Sequence, residues 1–413
     1  MVKKKLLIIN PGFPPELLPG GVMACNLAKE FVSRGYDVTV YTSFPNRPYG
    51  KIYPGYKRRL RDISYQNDFR LVRLWTWLIG ANRKNIDRLM ENVSFGLSAT
   101  LHLLIDRKYD YILLDAWPAL CAFIVSLAAK LIGIPCYYYI QDLLPEQAQN
   151  TGMIKKKGIV SELLLWADQK ACQNSAGIFV LSDKMKNHII CTRAVNRNKI
   201  LVAPIQVDIN KIYPVNRLNS WRKKHNIADD AFVVIYTGTL GHVSGISILE
   251  EIVPRFSDKD NILFICIGEG PLKSRLVKLS QSCSHLKMID YQADSDYLLA
   301  LGSADIAFLP MDSNCGVGSV PSKMYTYMAA EKPVLSNAPL DSENARLISA
   351  TGCGLLVKAN DAGELESGIR ILSNHPENLT KMGKAGRKYI MGNCTVETVV
   401  DKIERFWQSK SSL

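Results

Sequence analysis

Residues 5–43 read KLLIINPGFPPELLPGGVMACNLAKEFVSRGYDVTVYTS, and the change of period inside this stretch decides the fold. KLLIIN is a short aliphatic run of the kind found in strands buried on both faces. A proline- and glycine-containing loop follows through Gly20 and Gly21. A helix is expected roughly from Val22 to Ser33, with Gly35 as its stop, and DVTVYTS returns to strand. Working outward, YDYILLD, an apolar helix and PCYYYIQD repeat the scheme, and AGIFVLS is a further strand. The second half begins again with FVVIYTGTLG and continues through NILFICIGEG, HLKMIDY, IAFLPM, KPVLSN and GLLVK, with amphipathic helices between. Two such series predict two doubly wound α/β domains with parallel sheets. The expected division is an N-terminal domain over 1–200 and a C-terminal domain over 201–394, joined near Asn196 to Pro214. A last helix within 395–413 is expected to pack back on the N-terminal domain, with Val396, Val399, Val400, Ile403 and Phe406 at helical spacing.

Composition agrees with a folded globular chain. The 413 residues are too many for one core, and 47% are apolar against 22% charged. The opening MVKKKLLIIN has too short an apolar run for a signal peptide. Ala116 to Ala129 is uncharged but falls short of the roughly 20 residues a spanning helix needs, so a buried helix is expected there. The ten cysteines contain no C-x-x-C pair and several sit in apolar runs, which suits reduced, buried thiols in a cytoplasmic protein. A net charge of +13 calls for an anionic partner. Lys57, Arg58, Arg59 and Arg61 form one basic cluster, and Arg70, Arg73, Arg83, Lys84 and Arg88 flank LWTWLIG with Trp75 and Trp77. That mixture suits a bilayer interface; a solvated basic loop over a local apolar cluster is the plainer alternative.

Open parallel sheets bind ligands at the carboxyl ends of their strands, and the informative residues follow the strands. Gly20 and Gly21 precede a helix whose first amides could take an anion, although glycine pairs also serve ordinary turns. The G-x-G-x-x-G spacing of a dinucleotide site is missing. IQDLLPEQ places Asp142 and Glu146 after a strand, where carboxylates can orient or deprotonate an acceptor hydroxyl. Equally, Asp142 can cap the next turn and Glu146 can lie in solvent. YTGTLGHVSG and IGEGP are glycine loops carrying Gly238, Thr239, Ser244, Gly268 and Glu269, and their amides suit phosphate oxygens. NCGVGSVPSKMYTYMAAEKPVLSN leads through Gly318, Ser319, Val320 and Ser322 to Lys323 at a helix start, a set of donors fit for a diphosphate. The plainer reading there is a Gly-Ser loop with a lysine in solvent. Asp294-Ser295-Asp296 has the form of a metal–diphosphate motif, but an aspartate before YLLALGSAD caps a helix, and no metal is expected.

In order along nearly the whole chain, these segments resemble the retaining GT-B glycosyltransferases of family 4, in the branch that builds bacterial surface polysaccharides such as colanic acid and O-antigen. PPELLPGGVMACNLAKEF, IQDLLPEQ, VAPIQVDINKIYP, IGEGPLKSRL and PSKMYTYMAAEKPVL carry the resemblance. It implies two Rossmann-like domains facing a central cleft, with the nucleotide-sugar donor in the C-terminal domain and the acceptor in the N-terminal one. Transfer would retain anomeric configuration without cofactor or metal, toward a glycan or a polyprenyl-diphosphate-linked glycan. The protein would then be cytoplasmic and peripheral on the inner face of the cell membrane, with no nucleic-acid partner. Lys323 and the amides of Gly318 to Val320 would stabilise the leaving diphosphate, and Asp142 and Glu146 would organise the acceptor. The chain departs from the family pattern at Gly318 and Thr326, where many members carry glutamates, the second of them on the donor ribose. It departs also at Thr239 and Ser244, where an arginine and a lysine are usual, and at Glu331, where glycine precedes KPV. Alternative readings are a sugar-nucleotide epimerase and a non-catalytic homologue that scaffolds a polysaccharide assembly complex.

Overall fold

The computed structural model describes all residues except 1–2, 17, 48–49, 79–84, 116–118, 151–153, 156–157, 242–243, 293, 314–319 and 412–413. Two compact units divide the chain, one mainly Met1–Ile205 with Val396–Leu413, the other mainly Gln206–Gly316 with Pro321–Thr395.

In the first unit the strands are β1 (Lys5–Ile9), β2 (Asp37–Ser43), β3 (Arg61–Gln66), β4 (Phe69–Leu74), β5 (Tyr111–Asp115), β6 (Cys136–Ile140), β7 (Gly177–Val180) and β8 (Ile200–Val202). They form one sheet in the order β3-β4-β2-β1-β5-β6-β7-β8, parallel except for β3 on β4. The helices that concern the site are α1 (Pro19–Ser33), α2 (Asn85–Asp106), α3 (Ala119–Leu131), α4 (Leu144–Asn150), α5 (Ile159–Asn174) and α6 (Asp183–Arg193). Strand order reverses direction between β1 and β5, so right-handed crossovers put α1 on one face and α2, α3 and α5 side by side on the other. The second unit contains β9 (Phe232–Thr237), β10 (Ile262–Ile267), β11 (Leu286–Ile289), β12 (Ile306–Phe308), β13 (Val334–Ala338) and β14 (Gly354–Lys358). Its order is β11-β10-β9-β12-β13-β14, all parallel, with the reversal between β9 and β12.

Two elements differ from the sequence reading. Arg73, expected to flank a membrane-facing LWTWLIG stretch, instead lies inside β4, a buried strand that ends on the first residue of that stretch. That guanidinium is only 2% exposed and donates to the carbonyls of Ser43 and Pro14. Backbone oxygens satisfy it, so it offers nothing to a lipid surface. Helix α1 starts at Pro19, three residues earlier than expected, because proline suits a first helical turn whose amide has no partner.

Of the apolar segment 116–129, the residues from Ala119 onward lie in helix α3, which buries one side, and seven of the nine described cysteines are buried. The C-terminal helix, Val396–Ser411, lies in the first unit against α1. Its Trp407 stacks on Tyr111 at 4.4 Å between ring centroids and on Phe31 at 5.3 Å. Arg34 locks the same contact, reaching Glu30 at 2.8 Å and both Asp401 and Glu404 at 2.6 Å. A large ring buried this way should be costly to remove. Trp407→Ala is expected to destabilise the first unit by about 3–5 kcal/mol, seen as a lower denaturant midpoint by circular dichroism; Arg405→Ala, on the exposed side of that helix, should change it by less than about 0.5 kcal/mol.

Candidate active site

At the carboxyl end of β9 the chain turns through Gly238, whose φ is +125°. Its amide donates to Ile267 O at 2.8 Å, and the amide of Leu240 to Glu269 O at 2.8 Å, so the loops after β9 and β10 are zipped backbone to backbone. Side chains have no room in this contact. A Cβ on Gly268 would stand 1.9 Å from Gly238 O, and one on Gly238 would stand 2.2 Å from Cε of Lys323. Lys323 enters from the first turn of the helix Ser322–Ala329. Its ammonium donates to the Tyr236 hydroxyl at 2.8 Å and lies 4.3 Å from that ring's centre. The Tyr236 hydroxyl in turn donates to Thr239 O at 2.7 Å. Burial pulls the Lys323 ammonium down to about 8 and pushes the Tyr236 hydroxyl up to about 12. Among the described residues no carboxylate forms an ion pair with Lys323, so the cation is held by a neutral hydroxyl and a ring face. Such a site favours an incoming anion.

The remaining donor-side expectations fall around this lysine unevenly. Thr239 is exposed, and Ser244 donates to Gly241 O at 2.6 Å. Glu269 pairs with Lys273 at 2.6 Å and points to solvent. Ser322 is exposed and Val320 half-buried just before the helix. Thr326 lies one turn beyond Lys323, its hydroxyl 3.4 Å from Ser322 O. Gly318 and Ser319 lie outside the described residues. Glu331, where the family pattern has glycine, adopts φ +55°, a left-handed conformation that glycine takes without strain.

In the first unit, carboxyl ends gather a different set. Asn10 Nδ2 donates to Asp115 Oδ2 at 2.5 Å, and Gln141 Nε2 to the same oxygen at 2.9 Å. Asn10 ends β1's run, Asp115 ends β5, and Gln141 follows β6, so the sheet edge converges on one carboxylate. Gly20 and Gly21 do not present a free loop here, since they belong to the first turn of α1. A Cβ on Gly21 would meet Gly12 O at 2.4 Å, and one on Gly20 would meet Gln141 Oε1 at 2.8 Å. Their smallness brings the helix start against β1 and β6. Asp142 is reached by solvent and accepts from Gln147 Nε2 at 2.9 Å. The surrounding protein raises its carboxyl above the usual range, against the opposing effect of Gln147.

Glu146 faces inward. Arg193 Nη2 and His188 Nε2 reach its Oε1 at 2.6 and 2.9 Å, and Arg193 also reaches Asp168 at 2.6 Å. Burial by itself would raise the Glu146 carboxyl, but the bonds from His188 and Arg193 and the guanidinium charge hold it below its ordinary value. It ties α4 to α6 and is not a residue in solvent. Sequence reading missed Asn10, Asp115, Gln141 and Tyr236. The signal for Asp115 was present, because YILLD ends on an acid just as YIQD does.

Of the expected membrane residues, Trp75 is half-buried under the Arg58 guanidinium at 5.3 Å, Trp77 is exposed, and Arg83 and Lys84 lie outside the described residues. A cavity of about 580 Å³ opens at the opposite, amino end of the second sheet. Its Arg217 pairs with Asp305, and Lys332 donates to Gly302 O and Ala304 O, so its charges are spent on holding that end together.

Residues 20–206 match the model described as the glycosyl transferase 4-like domain, and residues 219–389 the one described as glycosyl transferases group 1. The chain carries both domains of a group 1 glycosyltransferase. The putative colanic acid biosynthesis glycosyl transferase WcaI of Escherichia coli is 23% identical over 377 residues, covering 89% of this chain and 91% of that protein. The sucrose-phosphate synthase of Thermosynechococcus elongatus superposes over 99% of this chain and 100% of its own, with a TM-score of 0.75 and 14% identity. Anabaena Alr3699/HepE, solved in complex with UDP-glucose, covers the same shares with a TM-score of 0.69 at 14% identity. The fold of this glycosyltransferase is therefore GT-B, two Rossmann-like domains. Among its described residues no helix is long and apolar enough to cross a membrane.

The half-buried Lys323 of this glycosyltransferase makes a direct target. NMR titration of ¹³C-methylated lysines should show two resonances titrating near pH 8, from Lys323 and from Lys332, whose burial pulls it down equally far; one of the two should disappear in Lys323→Met, while surface lysines titrate about two units higher. A Lys323 midpoint above 10 would contradict the burial described here.

Proposed function

We propose that the chain transfers a sugar from a nucleotide-diphosphate sugar, bound by the second unit, to a hydroxyl of a glycan or polyprenyl-diphosphate-linked acceptor bound by the first. The transfer retains anomeric configuration, needs no metal and serves cell-surface polysaccharide synthesis at the inner face of the membrane. One observation carries this reading. Lys323 is an ammonium that no carboxylate among the described residues pairs with, set against Tyr236 and Gly238 at the carboxyl end of the central strand. HepE holds UDP-glucose on the same fold, and WcaI is named for colanic acid synthesis. The first supports a sugar-nucleotide ligand over a scaffold, and the second supports transfer over epimerisation.

In the reaction the acceptor oxygen attacks the anomeric carbon on the face the diphosphate leaves. The bond from that carbon to the phosphate oxygen breaks, its electron pair stays on the diphosphate, and the hydroxyl proton passes to a departing phosphate oxygen. Lys323 contributes most as negative charge grows on the leaving group. Its low pKa is part of the device, since a partly desolvated cation gains more from a diphosphate than a hydrated one. Asp142 orients the acceptor hydroxyl, while Glu146 acts through Arg193 and His188 by fixing α4. The Asp294-Ser295-Asp296 motif is otherwise engaged, with Asp296 paired to Lys224 at 2.8 Å.

Activity is tested by incubating purified protein with UDP-, GDP-, ADP- and dTDP-sugars and lipid-linked acceptors, with NMR of the product's anomeric centre. Neither transfer nor donor hydrolysis with any of them would remove the reading. The lysine sets a pH dependence. Binding needs Lys323 protonated, and a bound diphosphate raises its pKa, so affinity is full below about pH 8 and falls about tenfold per unit above it. Calorimetry with a nucleotide sugar, whose diphosphate has no group titrating there, should show this fall between pH 7 and 9. Lys323→Met should abolish the slope and weaken binding at pH 7 by about tenfold or more. On the acceptor side, Asp142→Asn should lower kcat strongly and leave donor Kd unchanged.

A further inference from the structure

The helices α2, α3 and α5 cover one face of the first sheet, and their outward sides are apolar where solvent-facing helices are ordinarily polar. On α2, Leu97, Leu101, Leu104 and Ile105 are exposed at positions that share one helical face. On α3 the exposed pair is Leu127 and Leu131, the latter 77% accessible. Helix α5 opens with Ile159, 86% accessible, and continues the stripe through Val160, Leu163 and Trp166.

These stripes join. Gly96 lies so close to α3 that a Cβ would stand 2.9 Å from Cys121 Cα, which levels the two helices. Both run the same way, so at about 1.5 Å per residue Leu101 and Ile105 fall within about one residue of the levels of Leu127 and Leu131. Phe123, one turn before Leu127, meets Trp166 at 4.8 Å between ring centroids. Trp77 borders the band, its amide held by Ser94 Oγ of α2 at 2.8 Å. Isolated exposed apolar residues are unremarkable on a soluble protein, but a contiguous band across three helices is not.

We propose that the outer faces of α2, α3 and α5 form one apolar band that seats the first unit on an anionic lipid bilayer. Charge decides for a bilayer over a second protein. Arg107 and Lys108 follow α2, Lys130 lies in the last turn of α3, and the exposed Lys155 precedes α5, so cations stand at the ends of the band. The carboxylates on these helices oppose this weakly. Glu91, Asp106 and Asp168 are tied to Arg47, Arg70 and Arg193, Asp87 has its own partner, and Glu162 is left exposed on α5. An apolar face rimmed by lysine and arginine lies in the headgroup region with its cations toward anionic lipid. This replaces the expected seat at Arg73, which is buried. The proposal deepens the function proposed above and rests on it for the presence of a lipid-linked acceptor.

The test is sedimentation of the full chain with vesicles of phosphatidylglycerol and phosphatidylcholine, beside vesicles of phosphatidylcholine alone. The wild-type protein should pellet with the anionic vesicles, less so as salt rises. The double variant Leu101→Glu/Leu131→Glu should partition at least about tenfold less, with its circular dichroism and melting unchanged. Milder Leu101→Ser/Leu131→Ser substitutions should act in the same direction and serve if the first pair misfolds. Equal pelleting of wild type and variants, or no pelleting of wild type, overturns the proposal. So does light scattering that finds a dimer which the variants split, because a second copy would then own the face. Calorimetry with nucleotide sugars separates the two readings. Vesicle binding without donor binding removes the transferase reading and leaves the face; donor binding without vesicle binding removes only the face.

Discussion

Between Gly238 and Gly268 two backbones approach until one methyl group would not fit, and the donor-side geometry depends on that contact. It closes the loops after β9 and β10 against each other, fixes the amides of both, and leaves a slot through which Lys323 reaches Tyr236. The lysine cannot be placed there by its own helix alone, because a Cβ at position 238 would displace it. A charge held under a tyrosine ring loses much of its water. What it gains is readiness, since little solvent need be stripped from it when an anion arrives.

The first unit solves a different problem, which is to hold a polar sheet edge still without burying unpaired charge. Asp168 accepts from Arg193 and from the Tyr138 hydroxyl at 2.8 Å, and Arg193 spans to Glu146. Arg47 likewise joins Glu91 at 3.1 Å and approaches Glu16 at 3.6 Å. Pairs of this kind contribute little net stability, yet removing one partner strands the other at considerable cost. Their effect is positional. Loops that would otherwise drift are tied to helices packed on the sheet, and Asp142 and Asp115 are presented from a framed edge.

Strands with long aliphatic runs were legible in the sequence because burial on both faces leaves no polar alternation to misread, and both sheets follow from FVVIYT, NILFICI and their counterparts. FRLVRL was not legible, because two arginines in six residues look like a surface, and only tertiary contact reveals that Arg73 ends on the carbonyls of Ser43 and Pro14. The start of α1 was missed by three residues since glycines so often mark loops; here they admit a close backbone approach instead. Lys323 stood out as a cation at a helix start, whereas its tyrosine cradle could not, because Tyr236 lies in a strand whose pairing places it. Glu146 shows the limit most plainly. Its spacing from Asp142 suggested shared chemistry, and Arg193, 47 residues away, claims it.

The C-terminal helix bears on how the protein is made. Phe31 and Tyr111 belong to the first unit, but the indole that covers them lies in Val396–Ser411, beyond the whole of the second unit in the chain. On the ribosome the first core must therefore wait with an open aromatic seam while the intervening domain is translated, a delay on the order of tens of seconds at about 5–20 residues per second. During that time the seam is a natural client surface for chaperones that bind nascent chains. A message cut short before the last helix would yield a protein with its second domain complete and its first still unsealed.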